Sequence, residues 1–392
     1  MGVWSRKSIE TLKQEAHGGD RPALVRSLGV LNLTAFGVGN TVGAGIFVLT
    51  GTVAALRAGP AVTLCFILAS VACFFAGLCY AEYASMVPVV GSAYSYAYAT
   101  FGELIAWIIG WCIMFEYLFS ASLVAISWSG YVTSALGDIG IHIPALLANA
   151  PLRADAHDHI MMTGAWINLP AVLVTLACTA LLIAGTQKSA MVNSVIVVAK
   201  VLAILVLVAA CLPHIDTKLW HPFVPPNTGK LGDFGWSGVL RGAGIVFFAY
   251  IGFDGVSTLA EEAKNPQRTM PWSLGLSLLI CTTLYVAVSL AVTGIADYHL
   301  LNVPDPLYKA LSLANANLSW LKVLVAVVAG LGLIPVILLS LLGQVRIFFA
   351  MGRDGLLPAA LSRCSERFHT PHIGTLVTGL TAAAVAGFFP LD

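Results

Sequence analysis

Gly37-Val38-Gly39-Asn40-Thr41-Val42-Gly43-Ala44-Gly45-Ile46-Phe47 sets four glycines within nine residues, inside an apolar run over 28–56. Each glycine is roughly 1 kcal/mol poorer than alanine in a helix interior. The sequence therefore predicts a membrane-length helix that unwinds near its middle. The half-helix restarting near Gly45 would turn unpaired N–H groups toward the gap, the chemistry that holds a carboxylate. A second run repeats the idea: Gly242-Ala243-Gly244-Ile245-Val246-Phe247-Phe248-Ala249-Tyr250-Ile251-Gly252-Phe253-Asp254-Gly255. Carbonyls freed around Phe248 to Ile251 would accept from an ammonium group. Either run alone also suits close helix packing through small residues. The pair carries more, because backbone unwinds in lipid only where it lines a cavity. Interrupted helices in corresponding positions of two halves mark a transporter site at the bilayer midplane.

Moving outward, the 392 residues are 58% hydrophobic and 10% charged, with a mean hydropathy of +0.87. A soluble domain carries roughly a quarter charged residues, so lipid is the solvent for much of this chain. Uncharged apolar stretches long enough to cross a bilayer fall at nine places: 28–56, 61–86, 103–135, 168–186, 190–212, 238–260, 272–296, 322–351 and 373–390. The expected fold is an all-α polytopic membrane protein with polar loops at 137–160 and 213–236. The first 27 residues are polar and lack the apolar core of a signal peptide, so the first span serves as its own insertion signal.

Basic residues set the orientation. With the N-terminus inside, Arg6, Lys7, Lys13, Arg21, Arg26, Lys188, Lys264, Arg268, Arg346, Arg353, Arg363 and Arg367 fall on the inner face. Only Arg57, Arg153, Lys218, Lys230, Arg241, Lys309 and Lys322 fall outside, which favours a cytoplasmic N-terminus. A net charge of +1 gives no footprint for nucleic acid. Seven of the eight cysteines lie in or at the ends of apolar runs, with no CxxC pair, and read as packing residues. All nine histidines lie outside the spans, so neither a haem nor an intramembrane zinc is expected. His157-Asp158-His159 in an outer loop reads as solvated. Neither GxSxG nor HExxH occurs, which leaves membrane-embedded hydrolysis without support.

Three ionisable residues fall deep within spans: Glu116, Lys200 and Asp254. A charge at mid-bilayer costs on the order of 3 kcal/mol, so each should face the protein interior or a water path. Glu116 and Asp254 admit a structural reading, tied to a helix terminus or a tyrosine. Lys200 is either a group that loses and regains a proton or a permanent cation tethering two helices.

GNTVGAGIFVLTG (39–51), GSAYSYAYATFGE (91–103), FEYLFSASLVAISWSGY (115–131), FFAYIGFDGVSTLAEEAKNPQRTMP (247–271) and GQVRIFFAMGRDGLLP (343–358) resemble the amino acid, polyamine and organocation transporters. The likeness is greatest to the cationic amino acid transporter branch and its bacterial relatives. It implies a LeuT-like five-plus-five inverted repeat. A cytoplasmic segment 1–27 would precede a first repeat over 28–212, an outer loop 213–237 and a second, incomplete repeat over 238–392. The family pattern needs a tenth helix and its bacterial members carry twelve, so a chain of nine spans is expected to be a fragment or a truncated product. By the same resemblance Thr41, Val42, Gly43, Ala44 and Gly45 take the substrate carboxylate. Phe248, Ala249 and Ile251 offer carbonyls to its amino group, and Phe253 is the aromatic gate. Lys200 matches a lysine that stands in the place of a sodium ion in proton-coupled relatives, and Glu116 an acid implicated in proton handling. Asp254 is a possible further site residue.

The expected function is secondary transport of an L-amino acid by proton symport, in the bacterial inner membrane, with no cofactor, no metal and no enzymatic step. A sodium-coupled carrier or exchanger is the alternative mechanism. A non-transporting membrane binding or scaffold protein is the alternative of another class. Neither the side chain of the substrate nor the oligomeric state can be read from the sequence.

Overall fold

The computed structural model describes residues 6, 28–43, 45–86, 92–154, 160–184, 189–257, 263–314, 319–363 and 371–390. Ala44, the His157-Asp158-His159 run and nearly all of the N-terminal segment lie outside the described residues. The chain is a bundle of helices. In order they are α1 (Val30–Thr41), α2 (Thr50–Val53, flanked by π-wound turns Gly45–Leu49 and Ala54–Ala58), α3 (Val62–Met86), α4 (Ser92–Phe101) and α5 (Glu103–Asp138). They continue with α6 (Leu169–Ala184), α7 (Ser189–Cys211), α8 (Gly235–Val246), α9 (Pro266–Ile295), α10 (Pro306–Leu313), α11 (Ser319–Arg353) and α12 (His372–Phe388).

The long helices bury small residues and face outward with large ones. On α3, Ala69 and Cys73 are buried while Val71, Phe74, Phe75 and Leu78 are exposed. Phe115 and Phe119 of α5 and Leu202 of α7 are exposed in the same way. An apolar surface of this extent is stable only against lipid. The two π-wound turns and α2 sit at the centre, and every residue of Gly45–Leu49 is buried. Helix α11 packs along α5, α9 along α3, and α12 along α6.

Among the described residues six helical stretches are long and apolar enough to cross a membrane: Gly45–Tyr83, Glu103–Asp138, Val197–His214, Gly235–Ser257, Pro266–Ile295 and Trp320–Arg353. Leu169–Ile183 and His372–Phe388 are apolar but shorter. Each of the nine expected stretches carries helix among the described residues, though not each as one long helix. In the first expected span the helix ends at Thr41 and winding resumes at Gly45, and this second half runs on toward α3 through Gly59, whose φ of +58° turns the chain. The loop expected at 137–160 carries a small antiparallel hairpin, β1 (Leu152–Ala154) with β2 (Ile160–Met162), so the molecule is not purely helical. Helices α4 and α10 were not expected, since each is shorter than a membrane span.

Helix α10 is fastened to the end of α5. The Ser134 hydroxyl donates to the Asp305 carboxylate, and Tyr308 donates to Asp138, with the Lys322 ammonium 5.8 Å from the Tyr308 ring centre. Burial raises the Asp305 carboxyl to about 6, partly offset by the Ser134 hydroxyl and the Lys309 charge. The ordinary value is about 3.9, so the folded state holds this proton more tightly than the unfolded chain. Stability from this group is present at low pH and falls as pH rises from about 4 to 6. Asp305→Asn should flatten that part of the profile, read as detergent melting temperatures at pH 4.5 and 7.

Candidate functional site: two interrupted helices and a buried lysine

Helix α1 stops at Thr41, where the Val42 N–H still reaches the Val38 carbonyl at 2.9 Å. Helical winding resumes at Gly45. Helix α8 ends at Val246, tightens into a 3₁₀ turn over Phe247–Tyr250, and then leaves helical geometry through Gly252 at φ +106°. The two interruptions touch. A Cβ on Gly45 would lie 2.3 Å from the Ala249 Cβ and 2.6 Å from its Cα, so only glycine allows this approach. The Asn40 amide Nδ2 donates to the Gly252 carbonyl at 2.8 Å, a second tie between the breaks.

Lys200 is 2% exposed. Its Nζ donates to the Val42 carbonyl at 2.6 Å and the Gly39 carbonyl at 3.3 Å, across from α7 to the end of α1. The stem passes Gly332 of α11, where a Cβ would stand 2.9 Å from the Lys200 Cε. Among the described residues no carboxylate pairs with Lys200. An ammonium held by two backbone carbonyls offsets the negative end of the opened helix.

Glu116 lies elsewhere, on α5, within electrostatic reach of Asp254. Both of them, together with Tyr80 and Arg346, act on the Tyr117 hydroxyl. Asp254 Oδ1 accepts from the Gly252 N–H at 3.2 Å. The structure thus groups Glu116 with Asp254, whereas the contacts of Lys200 are to the end of α1. A small cavity of about 70 Å3 borders this region, lined in part by Asn40, Tyr117, Gly252, Ser340 and the exposed Arg346. A larger apolar cavity of about 710 Å3 lies beside the breaks, between Leu49, Leu123, Ile126, Phe248 and Val385. Phe248 is half-buried and borders this cavity, while Phe247 beside it is exposed. Phe253 is 6% exposed with its ring edge-on to Tyr80 of α3.

Several polar side chains at the breaks are not marked in the sequence. The Tyr285 hydroxyl stands 2.8 Å from the Thr41 carbonyl and 2.7 Å from the Ala249 carbonyl, and its one proton serves one of them at a time. Tyr131 donates to the Phe47 carbonyl at 2.7 Å. Asn40 stands within the quoted run, but its partner is 212 residues away. Tyrosines in apolar helices read as packing residues, and the signal that would single them out is the need of each opened carbonyl for a donor.

A family profile described as amino acid permease matches residues 28–391. The chain is 43% identical over 389 residues to the methylthioribose transporter of Bacillus subtilis, covering 99% of this chain and 80% of that protein. It is 41% identical over 391 residues to the branched-chain amino acid permease BcaP of the same organism, covering 100% and 80%. With the vacuolar cationic amino acid transporter 4 of Arabidopsis thaliana it shares 36% identity over 384 residues, 98% of this chain and 62% of that one.

Because the contact between the breaks leaves no space for a methyl group, Gly45→Ala should cost about 1–3 kcal/mol by overpacking. Gly275→Ala, where nothing lies within 4 Å, should not. Thermal unfolding in detergent compares the two.

Proposed function

We propose, from the premise that this chain belongs to the amino acid permease family, that it carries L-amino acids across a membrane by alternating access, coupled to protons. The observation that carries the reading is the pair of interrupted helices meeting at Gly45 and Ala249, with a buried ammonium at the end of the first. The amides around Thr41, Val42, Gly43, Ala44 and Gly45 would bind the carboxylate. The carbonyls of Phe248, Ala249 and Ile251 would receive the ammonium. Their placement five expected spans apart supports an inverted repeat of the LeuT kind, over 28–212 and 238–392. For the aromatic gate, Phe248 is better placed than Phe253, since its ring borders the apolar cavity.

Lys200 is the proposed coupling residue. Protonated, it fastens α1 through the Gly39 and Val42 carbonyls; deprotonated, it releases them and frees α1 to move. Sodium is disfavoured there because the ammonium already occupies the carbonyl pair. Glu116 and Asp254, close together, form a second proton-handling centre in this reading. The distribution of basic residues and the Bacillus relatives support a bacterial inner membrane with the N-terminus in the cytoplasm.

The relative at 43% identity is named for methylthioribose, which gives a second reading of the substrate. That molecule has neither carboxylate nor ammonium and would leave both sets of opened backbone groups without charged partners. Uptake of labelled leucine, lysine and methylthioribose into proteoliposomes, under a proton or a sodium gradient, separates the readings. Accumulation of an amino acid driven by the proton gradient and abolished by a protonophore is expected. Lys200→Ala should lose that accumulation while retaining exchange. Sodium-driven uptake overturns the proton coupling, and uptake of methylthioribose alone overturns the substrate. Binding of an amino acid without accumulation favours a non-transporting protein.

A further inference from the structure

Asp305 stands at the N-cap position of α10, where an aspartate ordinarily accepts from the first amides of its own helix. This one makes no such bond. Its carboxylate turns across to α5 and accepts from the Ser134 hydroxyl. The segment around it is seated on two glycines. A Cβ on Gly51 of α2 would lie 2.6 Å from the Leu301 carbonyl oxygen, and one on Gly130 of α5 would lie 2.7 Å from the Pro304 Cβ. Leu301, Leu307, Ala310 and Leu311 are buried in one core with Leu49 and Val53 of the restarted half of the first span. Among the described residues, the titratable groups facing this contact are Asp138 and Tyr131 from α5, Tyr308 and Lys309 from α10 itself, and Lys322 from α11. Asp138 accepts from Tyr308, Tyr131 donates to the Phe47 carbonyl, and Lys322 lies over the Tyr308 ring. Neither Gly45–Val53 nor the stretch 286–295 of α9 carries a titratable side chain.

We propose that α10 and the loop before it form a proton-governed lid: with Asp305 protonated the segment seats on α5 and on the restarted half of the first helix, and with Asp305 ionised it lifts. In the seated position an ionised carboxylate has one hydroxyl and the nearby Lys309 to offset its burial, and lifting returns it to water. The seated carboxyl holds its proton up to about 6, and a lifted one only to the ordinary value of about 3.9. Lifting therefore becomes easier as pH rises through that interval. Closure at this end of the bundle then follows the proton concentration on that side, the one step here that rests on the transport reading.

Deuterium exchange of the full chain in lipid nanodiscs, with neither substrate nor gradient, reads the lid directly. In the unaltered protein the opening of residues 298–313, corrected for the intrinsic pH dependence of amide exchange, should rise about tenfold from pH 5 to pH 7.5. In Asp305→Asn, which cannot ionise, it should stay within about twofold over the same range. An equal rise in both proteins, or a rise in neither, overturns the proposal. If Asp305→Asn does not reach the membrane, Ser134→Ala replaces it. Taking the hydroxyl donor from the ionised carboxylate should raise opening several-fold at pH 7.5 and leave it nearly unchanged at pH 5. Equal increases at both pH values mark lost packing alone and overturn the proposal. Uptake is a separate measurement: a lid that fails this test leaves the transport reading standing, and absent uptake leaves the lid standing.

Discussion

Lipid offers no hydrogen-bond donors, so a helix that opens within the membrane must find a partner inside the protein for each carbonyl it frees. At the end of α1 that partner is the Lys200 ammonium, drawn in from α7 to the Gly39 and Val42 carbonyls. The surrounding structure is arranged to let it arrive. Gly332 on α11 makes room for the lysine stem, and Gly39 lets α7 approach through Val197. Other carbonyls near the breaks also meet side-chain donors: Tyr285 serves Thr41 or Ala249 one at a time, Asn40 joins the Gly255 N–H on Gly252, and Tyr131 reaches Phe47 in the turn after the first break. Each donor comes from a different place in the chain, so the interruptions exist only in the assembled bundle.

This accounting separates two kinds of polar centre. The carbonyl-rich one around Lys200 and Tyr285 contains a single formal charge. The other collects Glu116, Asp254 and Arg346 around Tyr117, beside the small cavity that ends at the exposed arginine. The interrupted helices pass between them, through the Asn40 contact to Gly252 and the neighbouring Asp254. Packing is close where the breaks cross, at Gly45 and Ala249, and an apolar cavity lies beside Phe248.

Much of this was legible in the chain itself. The glycine runs at 37–45 and 242–255 give the two interruptions, because glycine weakens a helix wherever it stands. Lys200 is conspicuous because an uncompensated cation in an apolar run is costly. The lengths and turns of the helices were less legible. Hydropathy counts residues and is blind to the turn at Gly59, to the shortness of α6 and α12, and to the short helix α10 packed against the end of α5. Phe248 and Phe253 are indistinguishable in sequence, five residues apart in one aromatic run, and differ only in what packs against them.

The sequence by itself determined that the chain resides in lipid, where its backbone opens, and which three charges lie inside. Those properties are local, set by composition and by the conformational preference of short stretches. Which donor serves which carbonyl was decided by tertiary structure alone. Lys200 is 158 residues from Val42, and Tyr285 is 244 from Thr41. Nothing in a tyrosine's neighbours along the chain marks it as the donor for two opened helices, because hydrogen bonding at that separation depends on how the helices pack.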